Sequence, residues 1–97
     1  MAQRDYDGAI DVWQQATALE GRSVSAHVRL ADALIAANRL EQAAAELRGA
    51  IALNAGADLH RRLAGVLAAL GRNEESARER SIYVEQRLQQ LRQQSGQ

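Results

Sequence analysis

The chain has 97 residues, twelve arginines against twelve carboxylates, no lysine and no cysteine. That length supports one domain with a modest core, and zero net charge provides no field for nucleic acid or an anionic membrane. Without thiols there is neither a disulfide nor a thiolate metal site.

Residues 4–19 form the first predicted helix, with Tyr6, Ala9, Ile10, Trp13 and Ala16 as a strong apolar face. Residues 24–37 follow, with Val28, Leu30, Ala31, Leu34 and Ile35 at three- and four-residue spacing. Ser23 is placed to cap this helix, and Asn38 suits the left-handed residue that ends it. The third helix, 40–53, carries Leu40, Ala43, Ala44, Leu47, Ala50, Ile51 and Leu53 on one face, and Asn54 and Gly56 offer a similar left-handed ending. So short a link makes 24–37 and 40–53 an antiparallel hairpin.

The fourth helix, 57–70, is apolar at Leu59, Leu63, Val66, Leu67 and Leu70; Asp58 favours its start and Gly71 its end. Gly65 lies mid-helix, where it costs up to about 1 kcal/mol against Ala; close helix packing is its expected reason. The fifth helix, 73–94, is capped by Asn73 and carries Ala77, Ser81, Val84, Leu88 and Leu91, a heptad-like seam running past the length of the earlier helices. A solvated tail, QQSGQ, is expected after it.

The pattern repeats. Tyr6, Ala9, Trp13, Ala16 and Leu19 each stand one constant interval before Leu40, Ala43, Leu47, Ala50 and Leu53. His27, Leu30, Ala31, Leu34 and Asn38 stand in the same way before His60, Leu63, Ala64, Leu67 and Gly71, at an interval shorter by a single position. One helical hairpin per period of this size is the signature of a solenoid. The motifs His27-x-x-Leu30-Ala31-x-x-Leu34 and His60-x-x-Leu63-Ala64-x-x-Leu67 resemble the first helix of a tetratricopeptide repeat, and Ala9-x-x-x-Trp13 and Ala43-x-x-x-Leu47 resemble its second. The resemblance runs from about Arg4 to about Val84. It departs where Gly21 and Ala55 replace the proline that commonly ends a repeat, and where Ser76 and Arg80 occupy the small and large apolar slots of the last second helix.

The resemblance implies an all-α fold, with antiparallel helical hairpins stacked in a right-handed solenoid of five helices. One domain, 1–97, then comprises the second helix of a truncated repeat (1–20), a full repeat (24–56) and a terminal repeat with an extended C-terminal capping helix (57–94). The first helix of the first repeat is missing, so the chain is expected to be cut from a longer array, or its open face to be covered by another copy. The family's first helices line a concave groove. By that resemblance Ser25, Arg29, Asp32 and Ala36 face the groove from one repeat, and Asp58, Arg61, Arg62 and Gly65 from the next, with Ile35 adding apolar contact. Clustered guanidiniums grip carboxylates bidentately, so an acidic peptide or a C-terminal carboxylate is the expected ligand. The Lys and Asn clamp that some members use on chaperone C-termini does not map here, because the slots hold Val28, Asp32 and Arg62.

No catalytic site is expected. His27 and His60 occupy equivalent slots about one repeat apart and have no His or Cys partner four residues away, which favours a structural role over a metal. No Ser-His-Asp order, phosphate-cradling glycine loop or buried carboxylate pair stands out, and no cofactor is implied. The reading is a non-catalytic scaffold or adaptor that binds a protein or peptide. The alternatives are a homodimer through Tyr6, Ile10 and Trp13 or through Val84, Leu88 and Leu91, and an accessory repeat domain of a larger bacterial enzyme. Nucleic acid is disfavoured by zero net charge and three aromatic residues. No apolar run approaches the roughly 18 residues needed to span a bilayer, and MAQRDYDG has no apolar signal core. No membrane partner is therefore expected, and a cytoplasmic location is. The all-arginine, alanine-rich composition suggests a high-GC bacterial genome.

Overall fold

The computed structural model describes residues 5–54 and 56–95. Among them are five helices and no strand: α1 (Tyr6–Leu19), α2 (Val24–Ala36), α3 (Leu40–Leu53), α4 (Ala57–Ala69) and α5 (Asn73–Ser95). The expected start at Arg4, the Ala55 slot and the last two residues of the tail lie outside the described residues.

Local chemistry sets the boundaries. Asp5 accepts a 2.8 Å bond from the Gly8 amide, and Ser23 a 3.1 Å bond from the Ala26 amide, so each satisfies a donor that the first turn leaves free. α2 and α4 end in the same way. Asn38 (φ 62°) and Gly71 (φ 81°) are left-handed, and the next amides, of Arg39 and Arg72, reach back to the carbonyls of Leu34 and Leu67 at 2.8 and 2.9 Å.

The end of α3 differs from the expected left-handed closure. Asn54 is extended (φ −161°), and Gly56 is not a C-terminal residue but the N-cap of α4. The difference is one of task. The 37–39 turn folds the chain back on itself within one hairpin, whereas Asn54 ends that hairpin and Gly56 begins the next. Asn73 is the first residue of α5 rather than a cap before it, and the helix runs to Ser95, one residue past the expected end at 94.

Each helix packs mainly on the next in sequence, giving α1 on α2, α2 on α3, α3 on α4 and α4 on α5. That nearest-neighbour arrangement is a stacked repeat. The described residues extend 50 × 31 × 25 Å with a radius of gyration of 15.0 Å, against about 13 Å for a globular domain of 100 residues. The core lies in the middle of the stack. Leu34, Leu47, Leu63 and Leu67 are its largest fully buried side chains, and Tyr6, Trp13, Leu40, Ile51 and Leu70 pack around it.

Candidate partner-binding surface

The first helices α2 and α4 present one polar face. Ser25, Arg29, Asp32, Ala36, Asp58, Arg61 and Gly65 are exposed or half-buried there, and Arg62 is half-buried. Arg62 links the two helices, bonding Asp32 Oδ1 at 2.9 Å through Nη1 and Asp58 Oδ2 at 3.0 Å through Nε. Asp58 also accepts from Arg61 Nη2 at 2.6 Å. The hydrogen bond from Arg61, then that from Arg62, holds the Asp58 carboxyl below its ordinary value of 3.8. Asp32, Asp58, Arg61 and Arg62 thus form one network. Arg29 does not join it, because its guanidinium lies 5.8 Å from the ring centroid of Trp13 on α1, within cation–π range. The three arginines are therefore split between two locations.

Gly65 differs from its expected role. A Cβ built there meets nothing within 4 Å, so no neighbouring helix requires the glycine. The N-terminal self-association set also needs correction. Ile10 is only 3% exposed, and Tyr6 and Trp13 are half-buried, because this side of α1 is the one that packs on α2. The C-terminal set, Val84, Leu88 and Leu91, is exposed as expected.

Three residues absent from the sequence reading line the end of this face. α5 outruns its antiparallel partner α4, and its far half borders the start of α4 across a cleft of about 550 Å³ lined by Asp58, Arg61, Tyr83, Arg87 and Gln90, beside Gly56. Arg87 donates to Gln90 Oε1 at 2.6 Å and has no ion-pair partner among the described residues. The helical spacing of 83, 87 and 90 on an overlong helix was the available signal.

The two histidines are partnered in a repeated way. His27 Nδ1 lies 2.8 Å from Glu46 Oε1, and His60 Nδ1 lies 2.6 Å from Glu79 Oε1. Glu46 and Glu79 themselves stand one repeat apart, in step with the histidines, a correspondence already present in the sequence. His27 Nε2 also faces the Gly21 carbonyl at 3.0 Å. Both of its partners are acceptors, so both nitrogens donate only in the protonated ring; the Glu46 bond, then the Gly21 bond, raises its pKa above 6.5. Asp7 with Arg39 and Glu41 with Arg72 form a second repeated pair along the stack. No cluster of three or more His, Cys, Asp or Glu able to hold a metal occurs among the described residues.

A family model, Tetratricopeptide repeat, matches residues 1–70. The chain belongs to the tetratricopeptide repeat family. The match spans α1 to α4. The curated proteins give no significant match. A solved structure described as MamA AMB-1 superposes with a TM-score of 0.78 at 23% identity, covering 82% of this chain and 44% of that one, a similarity of fold. The chain thus spans less than half the length of that protein. Tetratricopeptide repeats generally mediate protein–protein interaction. No helix among the described residues is long and apolar enough to cross a membrane.

Proposed function

We propose that this chain is a non-catalytic binding module, one domain of about two and a half repeats (1–20, 24–56 and 57–94), that takes an acidic segment of a protein partner along the face of α2 and α4. Ser25, Ala36 and Gly65 supply its floor, with Ile35 as an apolar neighbour. Asp32, Asp58 and Arg62 hold the two first helices in register. Arg29, seated over Trp13, carries a charge free of any carboxylate among the described residues. The observation that carries the reading is the cleft between α4 and α5, where Arg61 and Arg87, the latter outside any ion pair among the described residues, both face open space.

A partner carboxylate there accepts from two guanidiniums, a charge-assisted geometry that favours Asp, Glu or a chain terminus over neutral side chains. The test is anisotropy of a fluorescein-labelled Asp/Glu-rich peptide. Arg61→Ala with Arg87→Ala should weaken binding at least about tenfold, consistent with the about 1.5–3 kcal/mol of a hydrogen bond to a charged group. Unchanged affinity in the folded double variant sinks the assignment. Arg62→Ala should mainly lower stability, since its donors are occupied within the fold.

A further inference from the structure

We infer that His27 is a proton-operated latch on the joint between successive repeats: its charged ring ties the link between α1 and α2 to α3, and loss of one proton lets that link go. This goes beyond binding of an acidic segment and uses neither Arg61 nor the cleft beside it.

The joint is residues 20–23, which connect α1, the second helix of one repeat, to α2, the first helix of the next. His27 lies one turn into α2. Its Nδ1 stands 2.8 Å from Glu46 Oε1 on α3, and its Nε2 stands 3.0 Å from the Gly21 carbonyl oxygen. One ring thus touches both the link before its helix and the other helix of its own hairpin. Glu46 and the Gly21 carbonyl offer only oxygen acceptors, so both contacts are hydrogen bonds when both nitrogens carry protons.

Removing one proton makes the two contacts compete. The single remaining N–H goes to Glu46, because a bond to a carboxylate is stronger than one to a neutral carbonyl. The lone pair of Nε2 then faces the Gly21 oxygen, acceptor against acceptor, and that contact opens to water. The link has little packing to resist. Glu20, Gly21 and Arg22 are exposed, and a Cβ built on Gly21 meets only the Thr17 carbonyl oxygen within 4 Å. Segments packed so sparsely open locally at low cost. Glu46 is anchored by contrast, since its helix is buried at Ala43, Leu47 and Ala50.

Few other charges bear on the ring. α3 supplies Glu46, the single ion-pair partner of His27 among the described residues, while Arg48 of the same helix is paired with Glu75 of α5. The link supplies Glu20 and Arg22, which flank Gly21 with opposite signs, and residues 12–19 of α1 carry no charge. On α2 the charge nearest in sequence is Arg29, which lies over Trp13. The Glu46 bond, then the Gly21 bond, outweighs burial and holds the ring's pKa above 6.5. The latch therefore releases on the alkaline side of 6.5.

The test is nitrogen-15 NMR of the imidazole rings with amide hydrogen exchange on the full chain, from about pH 5.5 to about pH 8.5. Through the titration of His27, Nδ1 should keep its proton while Nε2 loses it. The Glu20 and Ser23 amides bond the Ala16 and Glu20 carbonyls. Their exchange should quicken in step with that titration, at least about fivefold beyond the intrinsic effect of pH, while the Leu47 amide stays protected. Glu46→Gln should move the step to lower pH, His27→Gln should abolish it, and His60→Gln should leave it in place. A neutral ring protonated at Nε2, link amides without a step, or a step that survives in folded His27→Gln each overturns the inference. So does a midpoint that Glu46→Gln leaves unmoved. Peptide binding through Arg61 and Arg87 is read separately, so either proposal can fail without the other.

Discussion

α3 and α1 carry nearly the same apolar pattern and have opposite surroundings. α3 lies between α2 and α4, and Ala43, Ala44, Leu47 and Ala50 are all buried. α1 packs mainly on α2, so Ile10 alone in it is buried while Ala9, in the slot of Ala43, is exposed. α5 shows the converse. Packed mainly on α4, it buries Ser76 in the slot of Ala43, and the hydroxyl donates to the Ala64 carbonyl at 2.8 Å. Arg80, in the slot of Leu47, stays exposed and reaches the same hydroxyl at 3.2 Å. In a stack where each layer touches only its neighbours, position in the array decides which of a helix's apolar residues leave water.

The comparison is broken most forcefully at the core. Leu47→Ala should cost about 2–5 kcal/mol, while Leu19→Ala should stay within about 0.5 kcal/mol; urea denaturation of the two variants measures the contrast. Equal losses would mean that α1 is not open at Leu19. The same substitution at equivalent alanines is a finer probe. Ala43→Leu overpacks a filled site and should cost about 1–3 kcal/mol, whereas Ala9→Leu meets open space and should leave the denaturation midpoint nearly unchanged.

Two glycines of the terminal repeat should respond with opposite signs. Gly71→Ala places a Cβ at φ 81° and should destabilise by about 1 kcal/mol. Gly65→Ala fills nothing and should stabilise by about 0.5–1 kcal/mol. Thermal melts of both variants at one pH decide this.

The smallest effect is a pH dependence. The folded pKa of His27 is raised by Glu46 and the Gly21 carbonyl, so the folded state binds its proton more tightly than the unfolded chain. The stabilisation this gives is fully present below 6.5 and is lost as pH rises through the folded value. Melting temperatures measured from about pH 6 to about pH 8 should fall less steeply in His27→Gln than in the wild type. An unchanged slope would mean that the Glu46 and Gly21 bonds do not favour the charged ring.

Much of the fold was legible along the chain. The period-3.6 stripes, Ser23, Asn38 and Gly71 act within a few residues, so they marked the helices and most of their ends before any packing was known. The end of α3 differs from the expectation because Asn and Gly suit both a left-handed ending and the extended conformation that Asn54 and Gly56 adopt, and only the direction of the next helix chooses between them. At the candidate surface, residue type and phase located Asp32, Asp58, Arg61 and Arg62. Asp58 lies three and four residues from Arg61 and Arg62, so those pairs follow from helical spacing and charge, whereas the bridge from Arg62 to Asp32 and the bond between His27 and Glu46 cross from one helix to another and are set by packing.

The sequence by itself determined that this protein is a stack of helical hairpins at a regular period, since periodicity, capping and turn residues are local properties of the chain. Tertiary structure decided which of the repeated residues are core and which remain at the surface. It placed Ile10 against α2, directed Arg29 to Trp13 and Arg62 to Asp32, and left Arg87 beside an open cleft. Those outcomes depend on where one helix ends against another and which neighbour each face meets, and that information lies in the packing between helices rather than in any one of them.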